Sequence, residues 1–187
     1  VVAPATDPVH KVSILPRGGA LGVTASLPEK DRLMYTREFL EDQICMLLGG
    51  RAAELSILGT MTAGASDDIE RATNIARKMV AELGMSEIGP ICLKSNASLP
   101  HSERILDAVE ETTRSILAAQ LARANAIVAS RRREIDALVA ALLERDTLGQ
   151  SEIAACFPND AKATKAAGLQ ATAHGSLRAP RPEASSL

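Results

Sequence analysis

The sequence predicts a mainly α-helical domain carrying a small β-hairpin or edge-strand element. Three observations predict it. From Thr36 to Leu143 apolar residues recur at three- and four-residue steps, the period of helices packed on one face. Ahead of them, two short strand-like runs at 11–15 (KVSIL) and 21–25 (LGVTA) flank Pro16-Arg17-Gly18-Gly19, which has turn chemistry. Apolar residues make up 46% of the 187 positions but aromatics only 2%, so the core must be built from Leu, Ile, Val, Ala and Met. A chain of this length holds one domain with a real core, plus a tail.

Each element has its own signals. Thr36 is placed as the N-cap of a first helix whose stripe is Leu40, Ile44, Leu47, Leu48, Leu55 and Leu58. Gly49-Gly50 interrupts it at roughly 1 kcal/mol per glycine, a cost that close approach of another backbone would justify. A second helix is expected over 66–83, with Ile69, Ala72, Ala76, Met79, Val80 and Leu83 on one face and Gly84 at its C-terminal end. A polar loop with Pro90 and Pro100 separates it from a long helix over 102–129, bearing Ile105, Val109, Ile116, Leu117, Ile127 and Val128. Beyond Arg131-Arg132-Arg133, another helical segment carries Ile135, Leu138, Val139, Leu142 and Leu143. The last two helices form either a hairpin or one kinked helix. Past Phe157 almost nothing can be buried, so 1–157 reads as the domain and 158–187 as a disordered tail.

Composition excludes several functions. A formal net charge of -2 gives no electrostatic case for nucleic acid. No apolar run approaches the ~20 residues of a membrane span, and no signal segment opens the chain. Cys45, Cys92 and Cys156 are far apart and match no paired metal spacing, which suits a reducing compartment. The histidines stand at 10, 101 and 174, so no two share a helical face at four-residue spacing.

The chemical candidates are acids. Asp67 and Asp68 fall in the first turn of the second helix, where carboxylates favour the positive end of the dipole. Asp67 with Glu70 has capping-box spacing, which would make Asp67 the cap and leave Asp68 about 100° around the helix, free to face something else. Glu54 reads as an exposed acid or as the partner of Arg51, and Arg131 to Arg133 as a solvated turn between helices.

Five segments in one order narrow this reading: DPVHKVSILPRG (7–18), ALGVT (20–24), LLGGRAAE (47–54), TAGASDDIERATNIARKMV (62–80) and GMSEIGP (84–90). The series closely resembles the peptidase domain of the FtsH family, the membrane-anchored AAA+ zinc metalloproteases. It is near-continuous over 5–93 and weaker to about Phe157, including ALLERDTL (141–148). The resemblance implies a helical zincin-type peptidase domain, in which a His-Glu-x-x-His helix gives two zinc ligands and a catalytic base and a later carboxylate gives the third ligand. That carboxylate is the Asp directly before Ile in the family's GASxDI segment, here Asp68, with Asp67 where the family usually has Asn. The extended run Leu21, Gly22, Val23 and Thr24 resembles the edge strand that pairs with substrate main chain, with Gly22 allowing close backbone approach.

There are departures. The sequence contains no His-Glu-x-x-His, and Val1-Val2-Ala3 resembles the residues just after that helix, so the general base is expected upstream of Val1 and the zinc site within this chain is incomplete. The stretch from Val2 to Asp7, the loop between Gly59 and Gly64 and the segment between Leu93 and Ser102 are shorter than in the family, and Leu55 replaces a second acid after Glu54. ATP would act only through an AAA+ module, and the membrane only through an N-terminal anchor, both expected outside this chain. The resemblance implies a parent that assembles as a homo-hexamer, degrades unfolded and membrane proteins, and holds this domain on the cytoplasmic, matrix or stromal side of its membrane, the chain itself being soluble. By itself the fragment is expected to be inactive. The alternatives are a non-catalytic FtsH-like paralogue acting as a structural partner in a hexameric ring, and a helical-bundle interaction domain.

Overall fold

The computed structural model describes residues 9–16, 22–26, 34–93 and 101–158. The expected tail from residue 159 on, Leu21 and the turn at 17–20 lie outside the described residues.

Thr36 caps the first helix as the sequence requires. Its hydroxyl accepts the Phe39 N–H at 3.2 Å, and α1 runs Arg37–Leu47. The helical path continues through α2 (Gly49–Ala53) and a wider π-helical turn, Glu54–Leu58, which ends on left-handed Gly59. The glycine pair does not meet another backbone: among the described residues, a Cβ at Gly49 or Gly50 would find nothing within 4 Å. That expectation is corrected.

The next helix, α3 (Ser66–Ala81), buries Ala72, Ala76, Met79 and Val80. The two alanines have no exposed surface, so α3 can lie close against Phe39, Leu40, Ile44, Leu47 and Leu48 of the preceding helical path. Side chains buried this completely contribute roughly 1.5–3 kcal/mol each when they are as large as Met79 or Ile44. Left-handed Gly84 turns the chain after α3, and the Met85 N–H bonds back to the Met79 carbonyl at 2.9 Å. A 28-residue helix, α4 (Glu103–Ser130), then crosses this pair, with Ile116, Leu117 and Leu121 on the shared core. Further along it, Ala124 and Val128 pack with Cys45 and Ala52, and Ile135 closes that cluster.

Only Arg131 is non-helical between α4 and α5 (Arg132–Arg145), and the two helices touch around that junction rather than along their lengths. The kinked alternative therefore holds. A one-residue break is too short for the two- to five-residue loop of a helical hairpin. The Arg131–Glu134 pair at 3.2 Å and the Arg132–Asp136 pair at 2.9 Å place two of the three arginines in contacts along α5.

Two strands occupy the region where a hairpin was expected, shifted by two residues. β1 (Val9–Ser13) pairs antiparallel with β2 (Val23–Ser26), Val12 facing Thr24 and Ser13 facing Val23, with an irregularity between Val9 and Lys11. A third strand, β3 (Thr147–Gly149), pairs with the other edge of β1, giving the order β2-β1-β3. Short α6 (Gln150–Cys156) follows it. Leu142, Leu148, Ile153 and Phe157 form a small core beneath this sheet, with Val9 and Val12 against it. Neither β3 nor α6 is anticipated by the sequence reading. The mainly α-helical class with a small β element is what the molecule has.

Candidate metal centre and substrate edge

Asp68 stands in the first turn of α3, and its carboxylate is 46% exposed. Its ion-pair partner is Arg71, with Nη1 3.9 Å from Oδ1. An exposed pair this long contributes at most about 1 kcal/mol, so a stronger partner would displace it easily. Asp67 is exposed and accepts the Ser66 hydroxyl at 3.2 Å. It is not the cap: helix α3 begins at Ser66, two residues earlier than a cap at Asp67 would allow, and has no side-chain cap of its own.

The cap lies further back. Thr62 Oγ1 accepts the Gly64 N–H at 3.1 Å and starts a 3₁₀ turn, Ala63–Ala65, that runs directly into α3. Thr62 is itself gripped from the preceding helical path. Its N–H donates to Glu54 Oε2 at 3.2 Å, its hydroxyl donates to Glu54 Oε1, and its carbonyl accepts from Arg51 Nη2 at 3.0 Å. Arg51 Nε and Glu54 Oε2 are 3.6 Å apart. The Thr62 hydroxyl and N–H, with Arg51 adding a favourable charge, hold the Glu54 carboxyl below the ordinary carboxylate range. The Arg51–Glu54 pairing is thus present as read from the sequence, but the main partner of Glu54 is Thr62. That could have been suspected only from the Thr-x-Gly spacing of a hydroxyl-capped turn.

The ligand set around Asp68 is partial. Among the described residues no three His, Cys, Asp or Glu side chains come together as a metal site. His10 is on β1 and His101 lies just before α4. The described residues therefore fit the supply of one zinc ligand and not of a complete site, which takes three or four. The neighbouring hollow of about 370 Å³, lined by Leu48, Ile69, Leu117 and Leu121 with Arg51 and Arg114, offers apolar surface and cations but no ligating atoms.

β2 forms one edge of the sheet, with Thr24 exposed and Val23 41% exposed. Gly22 precedes it. A Cβ there would stand 2.9 Å from the Ser13 carbonyl oxygen, so the close approach this glycine permits is to β1, inside the sheet. Cys45 is buried, and that burial pushes its thiol up; Cys92 is exposed. No helix among the described residues is long and apolar enough to cross a membrane.

Comparison with known proteins places these features in a family. The model of peptidase family M41 matches residues 1–156. The ATP-dependent zinc metalloprotease FtsH 3 of Sorangium cellulosum is 68% identical over 160 residues, covering 86% of this chain and 26% of that protein. The ATP-dependent zinc metalloprotease FtsH of Acidimicrobium ferrooxidans is 42% identical over 159 residues, 79% of this chain and 24% of its own length. The FtsH of Thermotoga maritima is 40% identical over 165 residues, 81% of this chain and 27% of its own length. The chain spans about a quarter of the length of these relatives. With the family model matched across all of the described helices and the three-stranded sheet, the chain belongs to peptidase family M41.

Proposed function

We propose that this chain is the peptidase portion of an ATP-dependent zinc metalloendopeptidase, in which Asp68 is one protein ligand of the zinc. The observation that carries the reading is an open carboxylate in the first turn of α3, held among the described residues by a weak contact with Arg71, within a chain matched to M41 over 1–156. The remaining ligands and the general base would come from outside this sequence, which has no His-Glu-x-x-His. Zinc, when bound, polarises a carbonyl and lowers the pKa of its water. The part of Asp68 is to hold the metal at the start of α3, and the part of β2 is to orient substrate. Residues Leu21, Gly22, Val23 and Thr24 would present main-chain groups at a sheet edge to an extended polypeptide, which favours selection by extended shape over sequence.

The names of the relatives support ATP dependence in the whole protein. Homo-hexameric assembly, unfolded and membrane protein substrates, and a membrane anchor with this domain on the cytoplasmic, matrix or stromal side belong to the same proposal. The peptidase unit would end near Phe157, as the end of the family match at 156 and of α6 at Cys156 suggests.

The test compares Asp68→Asn with Asp67→Asn in the protein extended through the upstream region its relatives carry. Asp68→Asn should lose stoichiometric zinc and the degradation of an unfolded protein such as casein, and Asp67→Asn should keep both. Full zinc occupancy in Asp68→Asn overturns the assignment.

A further inference from the structure

The region before α3 contains more fixing contacts than an ordinary loop. Thr62 uses its N–H, its carbonyl and both the donor and acceptor capacity of its hydroxyl, and three of these four bonds go to Arg51 or Glu54. Those two side chains are only 16% exposed, although the loop they hold is at the surface. Thr62 is extended, and from Ala63 onward the backbone is turned or helical without interruption to Asp68: the 3₁₀ turn Ala63–Ala65 passes directly into α3. A helix with no side-chain cap of its own takes its starting register from the residues that precede it. Moving Thr62 therefore moves the first turn of α3 as a unit.

We infer that Glu54, acting through Thr62, is the positioning residue that fixes where the Asp68 carboxylate stands, with Arg51 completing the grip on the Thr62 carbonyl. Glu54 touches neither the metal ligand nor the metal in this scheme. Its two oxygens receive the N–H and O–H of one residue, a fork that sets both the position and the rotation of the peptide entering the turn. A carboxylate suits this and an amide does not, because Gln would place a donor where an acceptor is needed. The inference rests on Asp68 being a zinc ligand, and it deepens that reading by naming the residues that hold the ligand in place.

The experiment has two arms. In the extended protein loaded with zinc, affinity is read by competition with a chromophoric chelator for Glu54→Gln, Thr62→Val, Thr62→Ser and Asp68→Asn. Loss of a contact supporting a ligand typically weakens metal binding about 10–100-fold. That range is expected for Glu54→Gln and Thr62→Val, with Thr62→Ser near wild type because it keeps the hydroxyl. In the 187-residue chain without metal, amide hydrogen exchange is followed at residues 64–68 and, as reference, at 120–128 in α4. Glu54→Gln should speed exchange at 64–68 and leave the α4 amides unchanged. If Glu54→Gln and Thr62→Val bind zinc as tightly as wild type while Asp68→Asn does not, the positioning role falls and the ligand assignment stands. If Asp68→Asn also binds normally, the ligand assignment falls. If exchange quickens equally in α4, Glu54 acts on the whole fold and the positioning role is overturned.

Discussion

Two glycines with opposite surroundings allow a prediction whose sign is fixed by geometry. Gly50 lies in α2, is exposed, and has nothing within 4 Å of where a Cβ would be. Gly84 has a φ of +62°, and its Cβ would stand 2.9 Å from Pro90 Cα and 3.6 Å from the Gly89 carbonyl oxygen. Gly50→Ala should stabilise the chain by about 0.5–1 kcal/mol, since alanine loses less entropy on entering a helix. Gly84→Ala faces about 1–2 kcal/mol for a left-handed L-residue and about 1–3 kcal/mol for crowding backbone atoms that cannot rotate away. The stiffer unfolded chain returns about 0.4–1 kcal/mol, so the net loss is about 1–5 kcal/mol. Urea denaturation followed by far-UV circular dichroism reads both. At a slope of about 2 kcal/mol/M the Gly50 variant should unfold roughly 0.3–0.5 M later and the Gly84 variant at least about 0.5 M earlier. A destabilised Gly50→Ala would mean that something covers this face, and the open-space account of the glycine pair would be wrong. A neutral Gly84→Ala would show that the Pro90 backbone yields at little cost.

The same contacts give further expected outcomes. Asp42 is buried and its charged partner is Arg123, whose Nη2 is 2.5 Å away and whose side chain is 38% exposed. Arg123→Met should cost about 2–3 kcal/mol, less than a deeply buried pair because solvent screens the arginine, and Asp42→Leu on that background should recover part of the loss in a double-mutant cycle. Met79 has no exposed surface, so Met79→Ala should lower stability by about 2–5 kcal/mol in the same titration. Acid should loosen the chain through Glu54, Glu38, Glu134 and Glu152, all held below the usual 4.5 by hydrogen bonds and neighbouring cations. Depressed carboxyls lend stability above their unfolded value and lose it as pH falls through the folded one. Wild type should thus weaken below about pH 4.5, and Glu54→Gln should show a shallower acid limb in stability measured against pH.

How much of the fold was legible depended on how local its cause was. Thr36 was readable because a hydroxyl just ahead of an apolar stripe has few other uses, and the stripe of α3 because Ala72, Ala76 and Met79 repeat at helical steps. The third strand was not readable. Thr147, Leu148 and Gly149 form a strand only because β1 offers a partner more than 130 positions away in sequence, through Ser13 opposite Thr147, and three residues carry no period of their own. The start of α3 at Ser66 was read correctly, but its cap was misplaced for a similar reason. Asp67 with Glu70 has the spacing of a capping box, but the competing cap at Thr62 is backed by Glu54 and Arg51, which are eight and eleven residues away.

The site divides along the same line. Nothing in the local chemistry distinguishes Asp68 from Asp67, since either could serve the helix dipole; order and identity of five separated segments were needed to favour one. The folded chain then gives the two acids different surroundings. Asp67 takes a neighbouring hydroxyl, whereas among the described residues Asp68 has one long, exposed contact, to Arg71. Loosely held carboxylates at helix starts are common, so that openness alone would not mark a ligand. The proposal that Asp68 is a ligand draws its support from two conditions together at this turn: a weakly engaged carboxylate, on a backbone whose entry point is fixed on every polar side by Glu54, Arg51 and Gly64. A carboxylate serving only the helix dipole gains little from such a grip, because the dipole interaction changes slowly with position within the first turn. A metal ligand gains a great deal, because coordination tolerates only a few tenths of an ångström.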